Sequence, residues 1–156
     1  TTLPQIVGDE RACRQVLINL LSNAIKFSHE GGTVRLSMKR QGRMLSIAVS
    51  DAGVGMEADI IERVGEPFLQ AQDGLARRYE GTGLGLSIVK GLVSLHEGQL
   101  HIASEAGQGT TVTVLLPIDG PARGKPPSAT IEKLHKDNTG SDEIKWLEDE
   151  KRSATL

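Results

Sequence analysis

Between Asp9 and about Ser28 the chain carries apolar residues at almost every angle of a helix but one, and this constrains the fold more than any other feature. Turned at about 100° per residue, Gln15, Asn19, Ser22, Asn23 and Lys26 fall in one stripe about 100° wide, while Val16, Leu17, Ile18, Leu20, Leu21, Ala24, Ile25 and Phe27 fill the rest. A helix apolar on nearly all sides belongs inside a core. Its polar stripe must then be satisfied internally or line a cavity, because an unpaired buried polar group costs roughly 1–3 kcal/mol. The stripe also fits a plain solvent face, although such faces carry Glu and Lys more often than two Asn one turn apart, and Asn is an indifferent helix former. Asn19 and Asn23, at i and i+4, aim their oxygens at one spot, which suits a hard cation such as Mg²⁺, and Lys26 one turn on suits a phosphate. Asp9 is placed to cap the helix, and Gly31-Gly32 stops it.

Beyond this helix the period changes to two. Thr33 to Lys39 and Met44 to Ser50 alternate, with Val34, Leu36, Met38 and Leu45, Ile47, Val49 on one face and a turn around Gly42, which predicts a hairpin. A short helix is expected from Glu57 to about Val64, stopped by Glu66-Pro67-Phe68. Leu69 to Glu80 is polar and aperiodic, a length at which a connection inside a domain is usually functional, and it reads as a lid. Helical spacing returns at Leu84, Ile88, Val89, Leu92, Val93 and Leu95, with Gly98 expected in the left-handed position after the helix. Gln99 to Ser104 and Thr110 to Leu116 form a second hairpin closed by Pro117. These elements predict an α/β two-layer sandwich, a mixed sheet built around the two hairpins with helices on one face. Residues 1–118 make the domain. Residues 119–156 read as a tail, disordered or dependent on a partner, in which Ile144, Trp146 and Leu147 are too few to fold alone.

Glycine is over-represented, at 18 of 156 residues against a usual share of roughly 7%. Gly53 and Gly55 follow Asp51 at the end of a strand, where they allow backbone to approach a flat ligand and where a carboxylate suits an exocyclic amine. The same Asp-x-Gly-x-Gly pattern also makes ordinary turns. Gly81-Thr82-Gly83-Leu84-Gly85-Leu86 opens directly into a helix, whose free N–H groups and positive dipole end suit phosphate. Glycine-rich turns before helices also occur without ligands. The run lacks the lysine-serine pair of a P-loop, and it follows an irregular segment instead of a strand, against a dinucleotide-binding turn.

Composition narrows the partners. With Lys plus Arg at 18 and Asp plus Glu at 20, the formal charge of −2 gives no overall field for a nucleic acid, and four aromatic residues (Trp, Tyr and two Phe) make no stacking platform. Nucleic acid is excluded as a partner. The lone Cys13 fits a reducing compartment, and the chain has neither a signal sequence nor an apolar run of the roughly 18–20 residues a membrane span needs, so a cytoplasmic domain is expected. Thr1-Thr2-Leu3-Pro4, with no Met, reads as the interior of a longer chain.

Taken in order, these pieces resemble the catalytic ATP-binding domain of sensor histidine kinases, within the gyrase, Hsp90, histidine kinase and MutL superfamily. Asn19-Leu20-Leu21-Ser22-Asn23-Ala24-Ile25-Lys26-Phe27 is similar to the N box, Asp51 to Gly55 to the G1 box, Glu66-Pro67-Phe68 to the F box, and Gly81 to Leu86 to the G2 box. Chance supplies one such box easily and four in order hardly at all. The resemblance implies ATP with Mg²⁺, the metal held by Asn23 with Asn19 beside it, Lys26 on the phosphates and Phe27 beside the adenine. It implies Asp51 accepting from the adenine amine, Gly53 and Gly55 seating the base, and Gly81, Thr82, Gly83, Leu84 and Gly85 cradling the phosphates. Either Arg77 or Arg78 of the lid would swing over the γ-phosphate.

The resemblance also bears on the reaction. Hydrolysing members of the superfamily carry a glutamate base where this chain has Asn19, which cannot take a proton, so slow hydrolysis and transfer of the γ-phosphoryl group to a histidine are implied. The acceptor histidine would lie on a separate dimerisation domain of the same protein, a homodimer that can be membrane-anchored, with a response regulator downstream. His29, His96, His101 and His135 do not match it, and Cys13 reads as a small core residue. Two other readings stand beside this one. A degenerate nucleotide-binding module would work through protein contacts, and an anti-sigma-type Ser/Thr kinase would usually keep the glutamate that Asn19 replaces.

Overall fold

The computed structural model describes residues 2–67 and 83–121 and the backbone of a strand at 131–135. Its elements are α1 (Glu10–Phe27), β1 (Val34–Gln41), β2 (Met44–Asp51), α2 (Ala58–Arg63), α3 (Gly85–Leu95), β3 (Gln99–Glu105), β4 (Gly109–Pro117) and β5 (Ile131–His135). The sheet runs in the order β1-β2-β4-β3-β5. Both predicted hairpins form, and β2 joins them by pairing antiparallel with β4. β5 adds to β3 in parallel, which makes the sheet mixed. This strand, with His135 at its end, falls inside the stretch the sequence reading assigned to a tail outside the domain, so for these five residues that reading gives way. The predicted lid, Leu69 to Glu80, lies outside the described residues.

Strand alternation fixes the register and the core. Leu45, Ile47 and Val49 lie opposite Leu116, Val114 and Val112, and Val114 and Val112 lie opposite Leu100 and Ile102. All eight are buried and meet Val16, Leu20 and Ala24 of α1 and Val89 and Val93 of α3 in one cluster. A one-residue slip of any of these strands would turn its aliphatic set to the other face, so this face specifies the pairing. On the opposite face small polar residues pair across strands, as in the 2.9 Å contact between the Ser50 and Thr111 hydroxyls.

α1 and α3 lie side by side and run in opposite directions, since Asn19 meets Gly85 at one end while Gly8 and Asp9 meet His96 at the other. α1 is not buried all round as its sequence implied. Ile18 and Ile25 remain 53% and 66% exposed, because the helix forms part of an outer layer and turns only Val16, Leu20 and Ala24 fully inward. The polar stripe sits on the flank between these faces, with Asn19, Asn23 and Lys26 half-buried. A second expectation changes at the end of α3. The left-handed residue there is Glu97, at φ 52°, and not Gly98. Gly98 answers a different need: a Cβ on it would stand 2.4 Å from the Leu115 carbonyl oxygen.

The predicted cap is present. Asp9 Oδ1 accepts from the N–H groups of Arg11 and Ala12 at 2.8 and 3.0 Å, and these bonds, Ala12 first, hold its carboxyl below the ordinary value of 3.8. Val7 donates to the Ile118 carbonyl at 2.9 Å, so the segment leading into α1 is tied to the chain leaving β4.

Candidate functional site

α1 brings two amides to the start of α3. Asn19 Nδ2 donates to the Gly85 carbonyl at 3.3 Å, and a Cβ on Gly85 would stand 3.2 Å from Asn23 Nδ2. Only a glycine lets the first residue of α3 come this close to the Asn23 amide without displacing it. Among the described residues the helix start carries no side-chain cap: Leu84 occupies the N-cap position with no hydrogen bond from its side chain, and Gly83 before it is left-handed at φ 68°. An uncapped helix start leaves its leading N–H groups for another acceptor, and the dipole there favours an anion. Lys26, one turn past Asn23 on the same flank, holds its Nζ 5.0 Å from the centre of the Phe27 ring, and that ring is itself 37% exposed.

The C-terminal end of α1 abuts the loop that follows β2. Ser28 and Gly53 form an isolated bridge, and Val54 donates to the Phe27 carbonyl at 3.1 Å. Asp51 Oδ1 accepts from the Gly53 N–H at 2.9 Å, which sets the carboxylate at the turn. The glycines of this loop answer the protein's own backbone. A Cβ on Gly53 would stand 2.0 Å from the Phe27 carbonyl oxygen, and one on Gly55 would stand 1.9 Å from that of Glu105. At these two positions the direction a side chain would take is therefore filled by chain. What the glycines secure is the placement of Asp51 between α1 and the turn joining β3 to β4, reinforced by the Gly107 N–H donating to Val54 O at 2.8 Å.

Of the residues singled out in the sequence, the structure thus gathers Asn19, Asn23, Lys26, Phe27, Asp51, Gly53, Gly55, Gly83, Leu84 and Gly85 around the C-terminal half of α1. Phe68, Arg77, Arg78, Gly81 and Thr82 lie outside the described residues. One participant was missed. Gln15 Nε2 donates to Asn19 Oδ1 at 3.0 Å, so the oxygen expected to face a cation faces Gln15 instead. The signal was present, since Gln15 and Asn19 share the stripe at i and i+4. Among the described residues no group of three or more His, Cys, Asp or Glu is arranged to hold a metal, so any cation here would rest on amide oxygens and on its ligand. Asn23 fits that role by chemistry and position, presenting a hard oxygen donor beside the uncapped helix start.

The opposite ends of the same two helices border an open pocket of about 330 Å³ lined by Gly8, Asp9, Ala12, Leu92, Leu95, His96 and Pro121. It lies some ~16 Å along α1 from Asn23, at a rise of about 1.5 Å per residue. Among the described residues, none from the four motifs lines it. Of the histidines, His29 is exposed, His101 lies on β3 within 3.4 Å of Gln99 Oε1, and His96 is engaged with the backbone at this pocket. Cys13 packs on the core from its edge, where burial first and the Asp9 charge second push its thiol upward.

Residues 8–120 match the family described as histidine kinase-, DNA gyrase B- and HSP90-like ATPase. An uncharacterized sensor-like histidine kinase of Rhizobium meliloti is 50% identical over 115 residues, which are 74% of this chain and 22% of that protein. The histidine protein kinase DivJ of Caulobacter vibrioides is 44% identical over 114 residues, 73% of this chain and 19% of its own. The chain thus spans about a fifth of the length of these curated relatives. Among solved structures, full-length ShkA in complex with AMPPNP is 26% identical with a TM-score of 0.66, covering 85% of this chain and 33% of that one. The mycobacterial sensor histidine kinase MprB is 27% identical with a TM-score of 0.62, covering 74% and 76%.

Proposed function

The chain belongs to the histidine kinase-, DNA gyrase B- and HSP90-like ATPases, and from that membership we propose that it is the catalytic part of a sensor histidine kinase, binding Mg-ATP and passing the γ-phosphoryl group to a histidine elsewhere in its protein. The observation that carries the reading is the junction at Gly85, where an uncapped, glycine-led helix start meets the Asn23 amide. In this reading the α3 N–H groups and Lys26 receive the phosphates, and Asp51, held by the Gly53 N–H, accepts from the adenine amine. Asn23 would hold Mg²⁺, which offsets phosphate charge during transfer.

Asn19 offers no carboxylate where a general base for water would stand, so hydrolysis is slow and transfer to a neutral imidazole is the favoured outcome. Arg77 or Arg78 supplies charge over the γ-phosphate in the same proposal. The phosphoacceptor lies on a dimerisation domain of the same homodimeric protein, and a response regulator takes the phosphoryl group onward. No helix among the described residues is long and apolar enough to cross a membrane, which fits a catalytic part working in the cytoplasm of a protein that can be anchored elsewhere. Titration calorimetry with AMPPNP and Mg²⁺ should show saturable one-site binding, and labelled ATP with the dimerisation domain added should yield acid-labile phosphate. A flat titration rejects the nucleotide site, and binding without transfer rejects the kinase.

A further inference from the structure

We propose that Gln15 is a positioning residue of the nucleotide site, acting through Asn19 to fix the junction of α1 with α3. The proposal rests on reading that junction as the phosphate end of the site. Gln15 is exposed on the flank of α1 and donates from Nε2 to Asn19 Oδ1 at 3.0 Å, while Asn19 Nδ2 donates to the Gly85 carbonyl at 3.3 Å. Gly85 is the first residue of α3, and the Asn23 amide stands against it.

The two bonds form a chain with one polarity. A primary amide has a donor end and an acceptor end of similar size, but a backbone carbonyl only accepts. Turned over, Asn19 would set its oxygen against the Gly85 oxygen, and the tie between the helices would become a repulsion. The Gly85 carbonyl therefore sets which way Asn19 is turned, and the Gln15 amide, able to present either end, donates to the Oδ1 left outward and holds the side chain in that place. With that oxygen facing Gln15, the α1 amide left to meet a cation is Asn23. Asn19 therefore joins two helices, and Gln15 holds it against the second by occupying its outward oxygen. As an exposed i, i+4 pair the two residues add little to the stability of α1, so their consequence falls on the geometry of the site.

The test compares Gln15→Met, which keeps the bulk and loses the donor, with Gln15→Lys, which keeps a donor, each alone and combined with Asn19→Ala. In the nucleotide-free chain the Asn19 side-chain NH₂ protons should be protected from exchange in the parent and in Gln15→Lys, and unprotected in Gln15→Met. Calorimetry with Mg-AMPPNP should show Gln15→Met binding about two- to threefold more weakly, as befits one exposed side-chain pair. Gln15→Lys should match the parent, and every difference among residues at position 15 should vanish in the Asn19→Ala background, which separates an effect acting through Asn19 from any charge effect of the lysine. Unchanged exchange in Gln15→Met overturns the proposal, as does the same loss of affinity with Asn19 already removed. If the parent chain itself fails to bind AMPPNP, that result falls on the nucleotide reading, and the exchange of the Asn19 amide still decides the role of Gln15.

Discussion

The starts of α1 and α3 differ in a way their sequences announce. Asp9 closes the start of α1 by accepting from two of its leading N–H groups, and the Asp9 N–H is itself taken up by His96 Nε2 at 3.1 Å. The start of α3 has Leu84 where a cap would stand and a glycine on either side, with Asn23 drawn close. Capping is worth roughly 0.5–2 kcal/mol, so the start of α3, without it among the described residues, forgoes that stability and, in the proposed reading, keeps its donors for a phosphate. One end of the helix pair is closed by its own chain, and the other is the end the proposed function assigns to the nucleotide.

The largest expected effect tests where closure reaches into the end assigned to the nucleotide. Gly53→Ala places a Cβ against the Phe27 carbonyl, backbone against backbone with no side chain to yield, and should destabilise the chain by about 3 kcal/mol or more in denaturant unfolding. A variant of parental stability with weakened nucleotide binding would mean that this glycine serves the ligand after all. Next, Asn23→Ala should weaken Mg-AMPPNP binding by about 1.5–3 kcal/mol, the range for an interaction with a charged partner, while leaving the unfolding midpoint near its parental value. His96→Ala should do the reverse. It removes the acceptor of the Asp9 N–H and should cost about 0.5–1.5 kcal/mol of stability with no change in nucleotide affinity. If both variants moved both quantities together, the division between the two ends would be wrong.

Local patterns were legible in the sequence where one physical signal decided the outcome. Asp9 was readable as a cap because a short acceptor side chain precedes an apolar period, and the hairpins were readable from strict alternation. The order of four motifs gave the family, because glycines and amides at fixed spacing do not arise from packing alone. What stayed hidden depended on layers meeting. Composition could not show that Ile18 and Ile25 face outward, since an apolar residue on the outer side of a layer looks like one on the inner side. That the Phe27 and Glu105 carbonyls leave no room for a Cβ at Gly53 and Gly55 stayed hidden because those carbonyls are far off in sequence. β5 was missed because five residues bordered by Pro-rich and polar stretches become a strand only when the edge of β3 is there to receive them.

The smallest effect returns to the closed end and works through pH. The N–H bonds from Ala12 and Arg11 favour the ionised form of Asp9 and lower its pKa from the ordinary 3.8, so folding is favoured by this group above that value and loses the contribution as pH falls through the lowered folded pKa. Asp9→Asn keeps an oxygen acceptor for the cap but carries no charge to interact with the helix dipole, and it does not titrate. The parent should therefore melt slightly higher than Asp9→Asn at neutral pH, with the gap constant down to about pH 4 and closing below it. Nucleotide affinity at neutral pH should be the same for both, since the start of α1 faces away from the junction at Gly85. A gap still at its neutral-pH size at pH 3 would show that the advantage of Asp9 is not its charge, and an altered affinity would show that the capped and uncapped ends are coupled along the helix pair.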